Sequence, residues 1–375
     1  MNMSKLKNAP FRYDTVGSFL RPERLKAARV AYENNTISAE ALKAVEDETI
    51  LELVEKQKDV GLQFVTDGEF RRSWWHLDFM WGFDGISSTP ADQGYQFQGI
   101  TTRAETARLT GKISYGNHPF LEHFKFLQEV AGSGIIARQT IPAPAQLLAE
   151  LQRPDNREST ALYYPNVQDL FDDIVKAYQD FIQKIYDLGC RNLQIDDCTW
   201  GMLCDDHALE VIGLTEESAK ESAENYLELN NRSVQNAPED LVITTHVCRG
   251  NYRSKHASAG GYDPVAETLF AKAKVSAFYL EFDDERSGGF EPLQHVTGDK
   301  QVVLGLISSK IGKLEEKQVI INRIHEAEKY IELDRLCLSP QCGFASTEEG
   351  NVLTEDEQWA KIKLVKEIAE EVWGK

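Results

Sequence analysis

The chain has 375 residues, 42% hydrophobic and 27% charged, which is the balance of a globular protein long enough for a large core. A formal net charge of −19 repels a phosphate backbone, so no nucleic-acid partner is expected, and no apolar run approaches the roughly 18–20 residues of a membrane span. Residues 1–12 carry charge but no apolar signal core, so the expected location is cytoplasmic.

In chain order, short strand-like runs alternate with amphipathic helices. A first run at 14–19 carries Gly17-Ser18. A helical pattern at 38–60 opens on Ser38-Ala-Glu-Ala, which reads like a capping box, and stops before Gly61. The run 63–67 leads into Asp67-Gly68-Glu69-Phe70-Arg71-Arg72. The segment 81–115 breaks the rhythm: it is rich in Gly, Thr, Gln and Arg, with Phe97, Ile100 and Ile113 interspersed. We read it as an inserted β-hairpin or lid between the second and third strands. Strand runs follow at 135–141, 192–196, 241–248, 277–282, 301–307 and 335–338. Helical patterns follow at 167–188, ending at Gly189, and at 215–235, 263–272, 313–331 and 355–373.

Eight strands alternating with helices predict an α/β fold, a (β/α)8 TIM barrel rather than an open doubly wound sheet. No Gly-x-Gly-x-x-Gly follows the first strand, which argues against a dinucleotide fold. In such barrels the chemistry sits at the C-terminal strand ends. Those ends carry Gly17-Ser18, Glu69, Asp196, His246, Cys248, Glu281, Ser308-Ser309-Lys310 and Cys342.

His246 and Cys248 stand two apart in a strand, so an imidazole and a thiol emerge on one face. Both are ligand types that Zn2+ favours, and Glu281 and Cys342 could complete the set. A buried His and Cys without metal is the alternative. With six Cys and no signal segment, a disulfide framework is not expected. Cys190, Cys198, Cys204 and Cys337 read as small core or surface residues.

Thr15-Val-Gly-Ser-Phe19, Asp67-Gly-Glu-Phe-Arg-Arg72, Gln194-Ile-Asp-Asp197, Thr245-His-Val-Cys248 and Ser339-Pro-Gln-Cys-Gly343 occur together in this order. Over essentially its whole length the chain resembles the C-terminal catalytic barrel of cobalamin-independent methionine synthase. More closely, it resembles the family's short single-barrel relatives in Firmicutes. The resemblance implies one catalytic domain over 1–375, a zinc cofactor and methyl transfer to homocysteine. The donor would be a methyl-folate or another methyl carrier, a corrinoid included. It implies zinc ligands His246, Cys248, Glu281 and Cys342. Asp196 and Glu69 would hold the substrate amine, and Gly17 and Ser18 would meet its carboxylate.

Two features depart from the family. Where the synthases place a proton-donating His, this chain has Leu306-Ile-Ser-Ser-Lys310, so Lys310 or a neighbouring Ser stands there. The Trp that stacks on the pterin has no match in Pro142-Ala-Pro-Ala-Gln-Leu147. Arg71, Arg72, Trp74, Trp75 and His76 could shape a donor pocket. Equally, the arginines could pair with surface acids and the tryptophans pack.

Alkyl transfer to a different thiol is a second reading. A non-catalytic paralogue that binds zinc or an amino acid is a third. A metal-dependent hydrolase is disfavoured, because its usual first-strand His-x-His is replaced here by Thr15-Val-Gly-Ser18. A homo-oligomer is compatible with all of these.

Overall fold

The structure, a computed structural model, describes residues 8–374; residues 1–7, part of the stretch searched for a signal core, lie outside the described residues. Seven apolar runs form β1 (Phe64–Val65), β2 (Ile136–Pro142), β3 (Asn192–Asp197), β4 (Val242–Val247), β5 (Ala277–Glu281), β6 (Gln301–Ile307) and β7 (Leu336–Pro340). They pair in chain order as one parallel sheet. All of β3, β5 and β7 is buried, as expected of strands covered on both faces. The class is therefore α/β, with a parallel sheet curved as a half-barrel.

The predicted strand at 14–19 is not a ladder strand. It makes only isolated parallel bridges, Tyr13 to Leu338 and Ser18 to Gly68, and so touches both edges of the sheet. Its backbone finds other partners. Asp14 accepts hydrogen bonds from the amides of Phe11 (3.0 Å) and Thr15 (2.7 Å), and its carboxylate also takes the Arg138 guanidinium at 2.7 Å. Local side-chain bonds of this kind compete with a ladder.

The helices follow their end signals. Ala39–Asp59 is capped by Ser38, which accepts from the Ala41 amide at 3.3 Å. The reciprocal half of the expected capping box is missing because Ala41 has no side-chain acceptor. True boxes form instead at Thr215–Ser218 and Thr354–Glu357. Val167–Asp187 stops where Gly189 takes φ +99°. The helix predicted at 313–331 is shorter, Lys317–Ala327. Glu315 lies outside it, accepting from the Ser308 amide at 2.9 Å and from Lys361 Nζ at 2.9 Å.

The insertion is a hairpin of Asp84–Pro90 antiparallel to Glu105–Ser114, with a smaller hairpin, Gln96–Phe97 with Ile100–Thr101, between its arms. The smaller hairpin leans on the loop after β4: the Gln98 amide donates to His256 O at 2.9 Å, and the Phe97 and Tyr252 rings lie 5.5 Å apart. Among the described residues no helix is long and apolar enough to cross a membrane.

Candidate metal centre

Parallel register brings the strand ends together. Asp196 on β3 pairs with His246 on β4, His246 with Tyr279 on β5, and Glu281 on β5 with Gly305 on β6. Cys248 follows β4 directly and Cys342 follows β7. One ligand atom each from His246, Cys248, Glu281 and Cys342 lies within 4.8 Å of the others, and all four residues are buried.

The two sulfurs stand 3.6 Å apart, far beyond the roughly 2.05 Å of a disulfide. A tetrahedral zinc with bonds of about 2.0–2.3 Å sets its donors roughly 3.3–3.8 Å apart, so the spacing fits a shared ion. His246 fits as well. Its Nδ1 lies 3.2 Å from the Tyr279 carbonyl, which can only accept, so the proton sits on Nδ1. The lone pair of Nε2 is then free, and that atom is buried without a hydrogen-bond partner. An orphaned imidazole nitrogen beside two thiols and a carboxylate is a donor set suited to zinc.

The electrostatics around Glu281 are strong. Burial alone would raise its pKa, but Lys310, Arg286 and Arg249 outweigh burial and hold it at about 2. Its Oε1 accepts the Arg249 amide at 2.8 Å, and its Oε2 lies 3.0 Å from Arg286 Nη2 and 3.8 Å from Lys310 Nζ. Lys310 thus sits against the carboxylate of the cluster.

Beside the cluster lie two more buried carboxyls. Asp196 is pushed well above the usual carboxylate range by burial and then by the charge of Glu69. Glu69 is also raised by burial, against the pull of Arg72 and Arg21. Glu69 has φ +63°, accepts from Thr140 Oγ1 at 2.9 Å, and leaves Oε2 buried without a partner. A buried acid raised by its neighbour's charge, and that neighbour with an unfilled oxygen, suit a cationic ligand. Gly17, at φ +124°, and Ser18 lie next to them, with Ser18 bridged to Gly68.

The arginines and aromatics after β1 divide. Arg71 pairs with Glu46 (3.0 Å) and Asp47 (2.5 Å), but its side chain and Glu46 are largely buried, so these are not surface pairs. Arg72 is buried against Glu69 at 3.3 Å. Trp74 is packed and donates to Glu105 at 2.7 Å, whereas Trp75 is half-buried. His76 is pushed down to about 3 by burial, and its ring nitrogen lies 3.1 Å from Tyr95 OH. One residue read as merely small has a different setting: Cys198 follows Asp197, which pairs with Val247 and whose carbonyl accepts the Cys248 amide at 3.3 Å.

The model of the cobalamin-independent synthase catalytic domain matches residues 165–370. The chain belongs to the cobalamin-independent methionine synthase family. The uncharacterized protein YxjG of Bacillus subtilis is 45% identical over 98% of this chain and 96% of its own length. A crystal structure described as a putative vitamin-B12 independent methionine synthase from Listeria monocytogenes is 40% identical. It superposes with a TM-score of 0.78 over 99% of this chain and all of that one. A B12-independent methionine synthase from Shewanella, solved with selenomethionine, is 18% identical. It has a TM-score of 0.70 over 96% and 97% of the two chains and shares the fold. Membership in this family makes the chain methyltransferase-like, with a candidate metal site in the place just described.

Proposed function

We propose that this chain is a zinc-dependent methyltransferase that moves a methyl group onto the thiol of homocysteine and forms methionine. The observation that carries this reading is the junction of two things: a buried N,S,S,O cluster and, next to it, two buried carboxyls suited to an ammonium. His246, Cys248, Cys342 and Glu281 would hold the zinc. When bound, zinc supplies thiol acidity, keeping a sulfur ligand as thiolate at neutral pH.

The chain's own groups do the rest. Asp196 and Glu69 receive the substrate ammonium, Gly17 and Ser18 its carboxylate, and Lys310 provides positive charge beside the cluster. Selenomethionine in the Shewanella protein is the selenium analogue of the product proposed here. The donor is a methyl-folate or another methyl carrier, entering past Trp75 and the 81–115 insertion, which we assign as a lid. We take 1–375 as one (β/α)8 catalytic domain, with the run 14–19 completing its eight positions, working in the cytoplasm.

Transfer to a thiol without an amino group is the second reading, and the Asp196–Glu69 pair counts against it. The test is turnover of the zinc-loaded protein with L-homocysteine and methyl-tetrahydrofolates or methylcobalamin. Methionine formed with any of these donors supports the reading. Turnover only with an amine-free thiol overturns it.

A further inference from the structure

Away from the cluster, His76 is buried and its Nδ1 has no hydrogen-bond partner. A bare buried acceptor costs free energy, and a ligand that donates to it recovers that cost. The residue lies between the site and the insertion. Its neighbour Trp75 gives its carbonyl to Arg72 at 3.3 Å, and Arg72 holds Glu69, also at 3.3 Å. On the other side stands Tyr95 of the insertion, its hydroxyl 3.1 Å from His76 Nε2.

The position of the imidazole proton follows from a chain of hydrogen bonds. Glu150, near the end of the helix Pro144–Leu151, is buried and pairs with Arg153 at 3.5 Å. Its Oε1 accepts the Thr106 hydroxyl, and its Oε2 accepts the Tyr95 hydroxyl at 2.8 Å. A carboxylate only accepts, so the single hydroxyl proton of Tyr95 is committed to Glu150. Burial, and then the charge of Glu150, push the Tyr95 phenol well above its ordinary pKa, so that proton stays. The Tyr95 oxygen can then only accept from His76. The imidazole proton therefore sits on Nε2, and Nδ1 keeps a lone pair. Burial, and then the charge of Arg153, push His76 down to about 3, so the ring is neutral.

Access to that lone pair has a candidate gate. Of the rings around His76, Trp74 is bonded to Glu105 and Tyr95 to Glu150. The Trp75 ring, 4.7 Å away, is half-buried, and among the described residues its indole N–H has no partner. It is the neighbour that can shift at least cost.

We propose that His76 Nδ1 accepts a hydrogen bond from an uncharged amide-type N–H of the methyl donor, with Tyr95 and Glu150 as positioning residues that fix its tautomer. The ring lactam of a methyl-folate and the side-chain amides of a methyl-corrinoid both present such a group. This rests on the methyl-transfer reading above and names the contact by which that site recognises its donor.

The test uses the full zinc-loaded chain with isotope-labelled histidine, titrated separately with methyl-tetrahydrofolate and with methylcobalamin. Nitrogen NMR at neutral pH, with His76→Phe to assign the signals, should show His76 protonated on Nε2. Its Nδ1 signal should shift with the donor that binds, which tells the two sources apart. By calorimetry, His76→Phe should bind that donor about five- to tenfold more weakly, with zinc content and the L-homocysteine Kd unchanged. Tyr95→Phe should mix the two tautomers and weaken donor binding about threefold. The proposal is overturned if the His76 proton is on Nδ1, or if His76→Phe binds both donors as wild type does. Should His76→Phe fail to fold by circular dichroism, Tyr95→Phe still decides: an unchanged tautomer with unchanged donor affinity overturns the proposal. Failure of the methyl-transfer reading would look different, with a donor bound through His76 and no methionine formed. A wild type that binds neither donor overturns both.

Discussion

Asp196→Asn keeps the shape of a buried side chain and removes its charge. In the free protein Asp196 Oδ1 accepts from a neutral donor, Gln194 Nε2 at 2.9 Å, and its neighbour Glu69 carries an unfilled oxygen. A substrate ammonium would add charge-assisted bonds to both acids. One such buried contact is worth about 2–3 kcal/mol, so the variant should bind L-homocysteine about 30- to 150-fold more weakly. Zinc content should not change. Calorimetric titration of the zinc-loaded protein with L-homocysteine and with 4-mercaptobutanoate, which lacks the amine, isolates the effect. Wild type should prefer homocysteine by about the same factor, and the variant should lose that preference.

Stability should move the other way. The folded pKa of Asp196 is raised, so wild-type stability falls as pH rises from the ordinary aspartate pKa to the raised folded value, and is flat above it. Asp196→Asn lacks this loss and should melt at or above wild type at pH 8. A variant that keeps the amine preference, or that melts well below wild type at every pH, would refute the reasoning.

Further predictions concern the cluster and its neighbours. His246→Ala and Cys342→Ser should each lose most bound zinc and all methyl transfer while keeping wild-type circular dichroism. Gly343→Ala would place a Cβ 1.9 Å from Ser18 Oγ. Ser18 must give way, so about 1–3 kcal/mol of stability should go in thermal melts, with weaker homocysteine binding. Phe97→Ala removes the insertion's contact with Tyr252. It should raise the KM for the methyl donor several-fold while leaving the homocysteine Kd unchanged, if 81–115 is a lid.

Much of the site was legible because strand geometry is simple. The alternation of a strand puts His246 and Cys248 on one face, and the rule of strand ends pointed to Glu281, Cys342, Asp196 and Glu69. Other features depend on loops, whose paths no periodicity encodes. Arg286 meets Glu281 through the turn after β5, and Lys310 stands 3.8 Å from the same oxygen on the turn after β6. Cys198 looked ordinary because its nearness to Cys248 is set by register between strands rather than by spacing along one. The run 14–19 looked like a strand from its apolar content, but its Asp14 ties up the neighbouring amides. The helix Pro144–Leu151 lay hidden in Pro142-Ala-Pro-Ala, where Pro144 opens a first turn rather than breaking one.

The central claim is that the cluster activates a thiol on zinc. Its most direct test is metal analysis of the purified protein with zinc X-ray absorption before and after L-homocysteine. The account predicts one zinc per chain and an oxygen or nitrogen ligand replaced by sulfur on addition. A metal-free protein after zinc loading, or a spectrum indifferent to homocysteine, would contradict it.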